Sequence, residues 1–228
     1  MAGRDANDAR RDLHWVRPPR QARSQDTLER ILDAAETLVA EKGFEDATVA
    51  ELVRRADSSV GSFYTRFRDK EGLLYALYER YLEQATATAD QALDPARWEG
   101  ATIREIVGAV TRFLVSVYRE REGLIRAFVL RNHSDAEFRA RQERLSHYVN
   151  EKLSLLLLAR AGEITHPNPP RAAAFGLAMV ASAIEAIVLF GELRSSSLVL
   201  SDDELAAELT RAFLAYLGVA ERRPADSR

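Results

Sequence analysis

Cysteine is absent from this chain of 228 residues. This absence excludes disulfide bonds and thiolate metal sites, and it fits a reducing compartment. The N-terminus lacks the apolar segment of a secretory signal, so we expect a cytoplasmic protein. The patterns G-x-S-x-G and H-E-x-x-H and a phosphate-binding glycine loop are also missing. We therefore expect no enzyme, no cofactor and no metal site.

Sustained alternation of polar and apolar residues is missing too, which argues against β-strands. Apolar residues make up 46% of the chain and recur at helical spacing, so the predicted fold class is all-α. Glycine, proline, aspartate and serine divide the chain into about nine helices. Two short helices between 48 and 67 are flanked by longer ones, predicted at about 26–41, 69–93, 101–120, 123–134, 136–161, 170–192 and 202–218.

The stretch T-V-A-E-L-V-R-R-A-D-S-S-V-G-S-F-Y-T-R-F-R-D-K at 48–70 predicts two short helices joined by a tight turn. Thr48 is placed to cap the first helix, and Glu51 completes a capping box. The run D-S-S that follows stops this helix, because its side chains bond to local backbone. Ser58 or Ser59 then caps the second helix. This is a helix-turn-helix pattern, whose second helix lies in the DNA major groove.

The second short helix has two different faces. Phe63 and Phe67 are four residues apart and anchor it to the core. Arg66 suits a guanine edge, and Val60 or Thr65 suits a thymine methyl group. The face predicted to contact bases carries small or hydrogen-bonding side chains, namely Val60, Gly61, Ser62, Thr65 and Arg66.

Gly61 on this face and two further residues, Tyr64 and Lys70, support the predicted DNA contacts. Gly61 costs about 1 kcal/mol relative to alanine inside a helix, which suggests that another surface approaches closely there. Tyr64 offers a hydroxyl group for a phosphate oxygen. Lys70 opens the next helix, where the helix dipole disfavours a cation unless a phosphate binds at the same end. The two cap residues Thr48 and Ser59 complete this set.

The motifs G-F-x-x-A-T-V-A-E-L at 43–52 and S-V-G-S-F-Y-T-R-F-R-D-K-E-G-L-L at 59–74 resemble the DNA-binding domain of tetracycline-repressor-type (TetR) regulators. The resemblance covers about residues 24–84, and its series of glycine, threonine, tyrosine, phenylalanine and lysine is specific. It implies a three-helix DNA-binding head and a larger helical body for effector binding and dimerisation.

Three residues depart from the family pattern. Asp57 and Ser58 stand where the family usually has glycine and valine, and Ala47 replaces the first of a threonine pair. Aspartate tolerates a left-handed backbone better than most residues, so we expect the turn to persist. The loss of a buried valine at Ser58 predicts looser packing of the turn.

The resemblance and the punctuation of the chain together divide it into four parts. The net charge is −3 overall, but six arginines against three aspartates in 1–25, and five basic residues against two aspartates in 54–70, give each stretch a charge of +3. Arg20 and Arg23 adjoin the head, and either contact DNA or lie in solvent. The predicted parts are a basic arm at 1–22, a DNA-binding domain at 23–84, an effector-binding and dimerisation domain at 85–220, and a tail at 221–228.

The helices near 170–192 and 202–218 are the predicted homodimer interface, because the family resemblance implies a four-helix contact there. The first is nearly continuously apolar, but it is rich in alanine and contains Glu185. A carboxylate at the centre of a membrane helix costs about 2.5–3.5 kcal/mol, so we expect no membrane insertion. The second helix adds a stripe at Leu205, Leu209, Phe213, Tyr216 and Leu217.

The middle helices are the predicted effector site. Each of its aromatic residues also suits an ordinary core position. The resemblance implies a small, largely apolar effector, because such pockets are mostly hydrophobic with a few polar groups. The candidate lining residues are Phe113, Tyr118, Phe128, His133, Tyr148 and Phe175.

The sequence thus predicts a homodimeric repressor that binds a palindromic, double-stranded operator and is released by a small molecule. The alternative is a helical ligand-binding or interaction protein that keeps this fold without using it on DNA. The irregular turn at Asp57 and Ser58 favours the alternative. Tyr64, Arg66 and Lys70 favour the regulator, since an idle surface has little need to present them together.

Overall fold

The computed structural model describes residues 22–190 and 200–220. These residues form two compact units. The first unit, which we call the head, contains the described residues up to Gln84 together with Gly123–Phe138. The second unit, the body, contains Ala85–Glu122 and the described residues from Arg139 onward.

Nine α-helices and two short 3₁₀ turns make up the regular structure of the described segments, which contain no β-strand. The prediction of an all-α fold is confirmed. The 3₁₀ turns lie at Pro95–Trp98 and Ala161–Glu163. In chain order the helices are α1 Ala22–Lys42, α2 Val49–Arg55, α3 Val60–Arg66, α4 Lys70–Ala92, α5 Ile103–Glu120, α6 Glu122–Ser134, α7 Ala136–Leu158, α8 Pro169–Phe190 and α9 Asp202–Leu217.

Helix α1 lies at the centre of the head, and its apolar stripe is buried as its spacing predicts. Gly43 ends the helix with a φ of +83°, and its N–H donates to the Val39 carbonyl at 2.8 Å. Glycine takes this left-handed conformation without strain, which explains why the helix ends here. Phe44 is buried directly after it. The buried stripe consists of Leu28, Ile31, Leu32, Ala35, Leu38 and Val39.

Helix α6 belongs to the head, so the predicted assignment of all residues from 85 to 220 to the body needs correction. A Cβ atom on Gly123 would lie 2.7 Å from the Val39 carbonyl oxygen, so the start of α6 packs directly against the α1 backbone. Three side chains of this later segment are buried in the head core: Leu124, Phe128 and Phe138. Residues 123–138, which were predicted to belong to the body domain at 85–220, therefore belong to the head.

The core of the body is formed mainly by α5, α8 and α9, with α9 packed against both others. Thr102 and Ser201 begin α5 and α9 with capping boxes. Gly176 on α8 gives room to the ring of Phe213, which is fully buried.

The predicted interface stripe on α9 packs inside the chain, which corrects that part of the dimer prediction. Leu205, Phe213 and Leu217 are buried, while Leu209 and Tyr216 pack partly buried against the body core. A different surface of these two helices is exposed. It includes Ala174, Phe175, Ala178 and Ser182 on α8, and Ala207, Glu208, Arg211, Ala212 and Ala215 on α9.

Among the described residues, α8 is the helix that is long and apolar enough to cross a membrane by composition. The mean hydropathy of an 18-residue stretch of this helix reaches 2.1, and 39% of that stretch is buried. The buried residues of α8 face the body core, where an apolar side is needed in any soluble helical unit. Its composition therefore reflects in part its place in this core.

Two buried helical glycines provide a test of the body packing. Gly176→Ala places a methyl group into the Phe213 ring, so we expect a loss of about 1–3 kcal/mol in the free energy of unfolding. Gly108→Ala is the matched control, because its Cβ first meets the end of the Arg112 side chain at 3.5 Å. Urea unfolding should show no loss for this control. Equal losses in both variants would contradict the packing.

Candidate nucleic-acid interface

Side-chain caps begin both short helices of the head. The Glu51 N–H donates to Thr48 Oγ1 at 3.3 Å, and the Thr48 N–H donates to the Glu51 carboxylate at 3.2 Å. The predicted capping box is confirmed. At the second helix the Ser62 N–H donates to Ser59 Oγ at 3.0 Å, so the structure selects Ser59 as the cap rather than Ser58.

The turn between α2 and α3 keeps a left-handed residue without glycine. Asp57 has a φ of +46° and is the one non-glycine residue with positive φ in the described part of the chain. Ser58 follows, half-buried, and its N–H donates to the Val53 carbonyl at 2.8 Å. The expectation that aspartate preserves the turn is confirmed.

Helix α3 has one buried and one exposed face. Phe63 and Phe67 are completely buried, and their ring centroids lie 5.0 Å apart. On the opposite face, Val60 is 47% and Tyr64 53% exposed. Gly61 and Thr65 are exposed beside them. Because exposed apolar and aromatic side chains concentrate at binding surfaces, this face is the candidate contact surface.

Gly61 has no packing role among the residues that the structure describes. A Cβ atom at this position would meet only Ser59 Oγ, at 3.9 Å, among atoms beyond its neighbours and its own helix backbone. The fold therefore tolerates alanine here. A glycine that lowers helix stability on an exposed face is explained by close approach of another molecule.

Two predicted contact residues bond to their own helix. Arg66 Nη1 donates to the Ser62 carbonyl at 2.9 Å and to Ser62 Oγ at 2.8 Å, and burial lowers the pKa of Arg66. Thr65 Oγ1 donates to the Gly61 carbonyl at 2.8 Å. A contact between Arg66 and a guanine requires the guanidinium to leave Ser62, and this contact stays a prediction.

Lys70 has a partner elsewhere in the head, 25 residues away in sequence. Its Nζ donates to the Glu45 carbonyl at 2.8 Å and lies 4.5 Å from the centroid of the Phe44 ring. The ammonium group has three donors, and this bond uses one. Lys70 is thus held at the start of α4 with capacity for a further acceptor.

Other cations of the head are neutralised by carboxylates. Lys42 pairs with Glu51 at 2.7 Å, and Arg55 pairs with Glu41 at 2.8 Å. The hydrogen bond from Lys42, followed by that from Thr48, lowers the pKa of Glu51 to about 2. These pairs stabilise the carboxylates of Glu41 on α1 and Glu51 on α2. Helix α3 itself contains no acidic residue.

The two arm residues of the prediction cannot be placed on this surface. Arg20 lies outside the described residues, as does most of the predicted arm at 1–22. Arg23 has its backbone in α1, while its side chain lies outside the described part.

The six predicted effector residues are divided between the two units. Phe128 is 3% exposed in the head core against Tyr78, which corrects its assignment to a chamber in the body. His133 is also in the head, and its Nδ1 lies 2.9 Å from the Val129 carbonyl. The other four lie in the body: Phe113, Tyr118, Tyr148 and Phe175.

The four body residues do not share one environment. Phe113 and Phe175 are exposed. Tyr118 donates to Glu185 at 3.5 Å, and Tyr148 donates to Asp90. The helical spacing of these aromatic residues therefore does not place them in one common pocket.

A groove of about 290 Å³ in the body is lined by none of these six residues. Arg160 shapes it, because its guanidinium donates to the carbonyls of Trp98, Ala101 and Leu156. No local sequence pattern marks such a meeting of a loop with a helix end. The lining consists of Pro95, Ala96, Glu99, Leu155, Leu156, Ala159 and Arg160.

A capped helix-turn-helix with an exposed second helix, in an all-α chain, defines the helix-turn-helix class of DNA-binding folds. Residues 31–77 match the model of the family described as bacterial regulatory proteins, tetR family. This match covers the helix-turn-helix part of the chain and supports a TetR-type regulator.

Known proteins resemble the chain over different extents. The HTH-type transcriptional repressor KstR of Mycolicibacterium smegmatis is 30% identical over 107 residues, which cover 47% of this chain and 52% of KstR. The chain spans about a third to a half of the length of the first curated relatives that it matches.

Solved structures extend the likeness to the fold of most of the chain. A TetR-family regulator from Mesorhizobium loti has a TM-score of 0.68 at 19% identity, with 87% of this chain and 98% of that chain covered. The Bacillus subtilis regulator FadR in complex with stearoyl-CoA has a TM-score of 0.59 at 20% identity, with coverage of 85% and 99%.

The Glu51 carboxylate gives the head a pH dependence. Its pKa of about 2 lies below the ordinary 4.5, so its contribution to stability is present above about pH 4.5 and is lost as pH falls toward 2. We expect Glu51→Gln to lower the urea midpoint at pH 7, and the difference from wild type to shrink over that range. A difference that does not change between pH 7 and pH 2.5 would refute this role.

Proposed function

We propose that the protein is a DNA-binding transcriptional regulator that represses by binding a palindromic operator as a homodimer. The observation that carries this proposal is the outward face of α3, with Val60, Gly61, Tyr64 and Thr65 exposed opposite two buried phenylalanines. In a helix-turn-helix protein this face enters the major groove, where small and hydroxyl-bearing side chains approach base edges.

Phosphate contacts complete the proposed interface. The Tyr64 hydroxyl stands on an exposed ring, and Lys70 presents an ammonium group at the N-terminal end of α4. Contacts of this kind orient a protein on the duplex without selecting sequence. Arg66 is the proposed reader of a guanine after release from Ser62. Thr48 and Ser59 contribute mainly by holding α2 and α3.

The exposed surfaces of α8 and α9 are the proposed dimer contact. Ala174 and Ala178 on α8 and Ala207, Ala212 and Ala215 on α9 are exposed, and small residues allow close helix packing. A two-fold dimer presents two copies of α3 to successive major grooves, about 34–36 Å apart, on a palindromic site.

A small, largely apolar effector is the proposed signal in the cytoplasm. The fold likeness to FadR, a regulator solved with stearoyl-CoA, supports an effector with an apolar portion such as an acyl chain, without locating it here. The dimer has one form with heads spaced for the operator and one with wrongly spaced heads. An effector that binds the second form more tightly stabilises it, and the fall in operator affinity is limited by the difference between its affinities for the two forms.

Lys70→Ala tests the DNA-binding function with purified protein and the DNA upstream of its own gene. We expect the wild type to bind a palindrome in a mobility-shift assay. The variant should bind operator and random DNA more weakly by the same factor, with the slope of log K against log salt reduced by about one.

Lys152→Ala is the matched control for this experiment, because Lys152 is a body lysine paired with Asp90. It should leave DNA binding unchanged. The proposal would be refuted if the wild-type protein bound no palindrome with salt-sensitive affinity. Ligand binding without DNA affinity would support the alternative function as a ligand-binding protein that does not use DNA.

The variant Gly61→Ala distinguishes an effect on DNA contact from an effect on folding stability. Alanine should raise the free energy of unfolding by about 0.5–1 kcal/mol, since its methyl group meets open space on a helix. The same methyl group should weaken operator binding by crowding the DNA. Urea unfolding and mobility shift measure the two effects, with Gly108→Ala as the body control. A variant that is more stable and binds equally well would show that DNA does not approach Gly61.

A further inference from the structure

The junction between α6 and α7, which we call the elbow (Arg131–Phe138), packs against one face of α4. Glu71, Tyr75 and Tyr78 are spaced by four and three residues, so they share that face. Phe138 is fully buried; its ring stacks on Tyr78 at 3.7 Å and meets Tyr75 edge-on at 5.3 Å. The elbow is about 60 residues from these partners in sequence.

Asp135 is the polar centre of the elbow. One carboxylate oxygen accepts the N–H groups of Glu137 at 3.0 Å and Phe138 at 3.1 Å. The other accepts the Tyr75 hydroxyl and lies 3.3 Å from Arg131 Nε. Burial raises the pKa of Asp135, but these hydrogen bonds and Arg131 outweigh burial, and the pKa lies below its ordinary value.

The contact continues to the first turn of α4. Arg131 Nη1 pairs with the Glu71 carboxylate at 2.9 Å, and the guanidinium lies 6.0 Å from the Tyr75 ring centroid. Burial, and then the hydrogen bond to Asp135, raise the pKa of Tyr75 to about 12, so its hydroxyl stays a donor. Glu71 directly follows Lys70, so the elbow holds the same helical turn that presents the proposed phosphate contact.

We propose that Asp135 is a positioning residue for DNA binding: through Tyr75, and through Arg131 and Glu71, it holds the first turn of α4 so that Lys70 meets a phosphate. This inference rests on the proposed function. The residue reaches the interface from a segment that follows α5 in the chain. We call its contacts with Tyr75 and Arg131, together with the pair between Arg131 and Glu71, the clasp.

A variant of Asp135 breaks the clasp with little change in shape. Asp135→Asn keeps an oxygen for the two backbone N–H groups, because asparagine is an equally good helix cap, but it removes the charge that binds Arg131. Tyr75→Phe removes only the hydroxyl and serves as the second variant. Asp90→Asn is the matched control, since Asp90 also accepts a tyrosine hydroxyl and pairs with a lysine, in the body.

The experiment combines operator binding with amide hydrogen exchange on the full chain. For Asp135→Asn and Tyr75→Phe we expect binding about fivefold to tenfold weaker, with faster exchange at Leu73 and Leu74. In a double-mutant cycle, Lys70→Ala should cost less in the Asp135→Asn background, because the lysine is already misplaced. The Asp90→Asn control should bind as wild type does.

Two results would overturn the inference while the proposed function stands. One is wild-type affinity, within twofold, in both clasp variants. The other is weaker binding in which the Asp135 and Lys70 changes act additively, since a merely structural aspartate would produce this. Wild-type protein that binds no DNA would instead refute the proposed function, and the inference with it.

Discussion

The head depends on the burial of Phe63 and Phe67 on one side of α3. A helix of seven residues is not stable alone, because isolated helices shorter than about 12–15 residues are marginal in water. Burying two phenylalanines contributes roughly 3–6 kcal/mol, and the caps at Thr48 and Ser59 add to this. The same burial determines the direction of the opposite face, so Val60, Gly61 and Tyr64 must point outward.

The rest of the head supports this anchoring from two directions. Helix α1 provides the buried stripe beneath α2 and α3. The segment 123–138 covers α4 from the other side, with Gly123 against the α1 backbone and Phe138 between the rings of α4. The head is therefore built from two separate stretches of chain, which gives a later segment direct contact with the helix that carries Lys70.

Features with local causes could be predicted from sequence. The cap at Thr48, a serine cap at Ser58 or Ser59, the stop at Gly43 and the left-handed Asp57 each follow from one side chain and its neighbours. Features with tertiary causes could not. The bond from Lys70 to the Glu45 carbonyl, the place of Phe128 in the head and the groove at Arg160 each join residues far apart in sequence, and helical periodicity shows only that a side chain is buried, not where.

The central claim is that the exposed face of α3 is the surface that meets DNA. Titration of operator DNA into isotope-labelled protein, followed by the NMR shifts of backbone amides, tests this claim residue by residue. We expect the largest perturbations to cluster at Val60–Thr65 and at Lys70, and to weaken as salt is raised. Perturbations confined to the body, with the α3 amides unmoved, would contradict it.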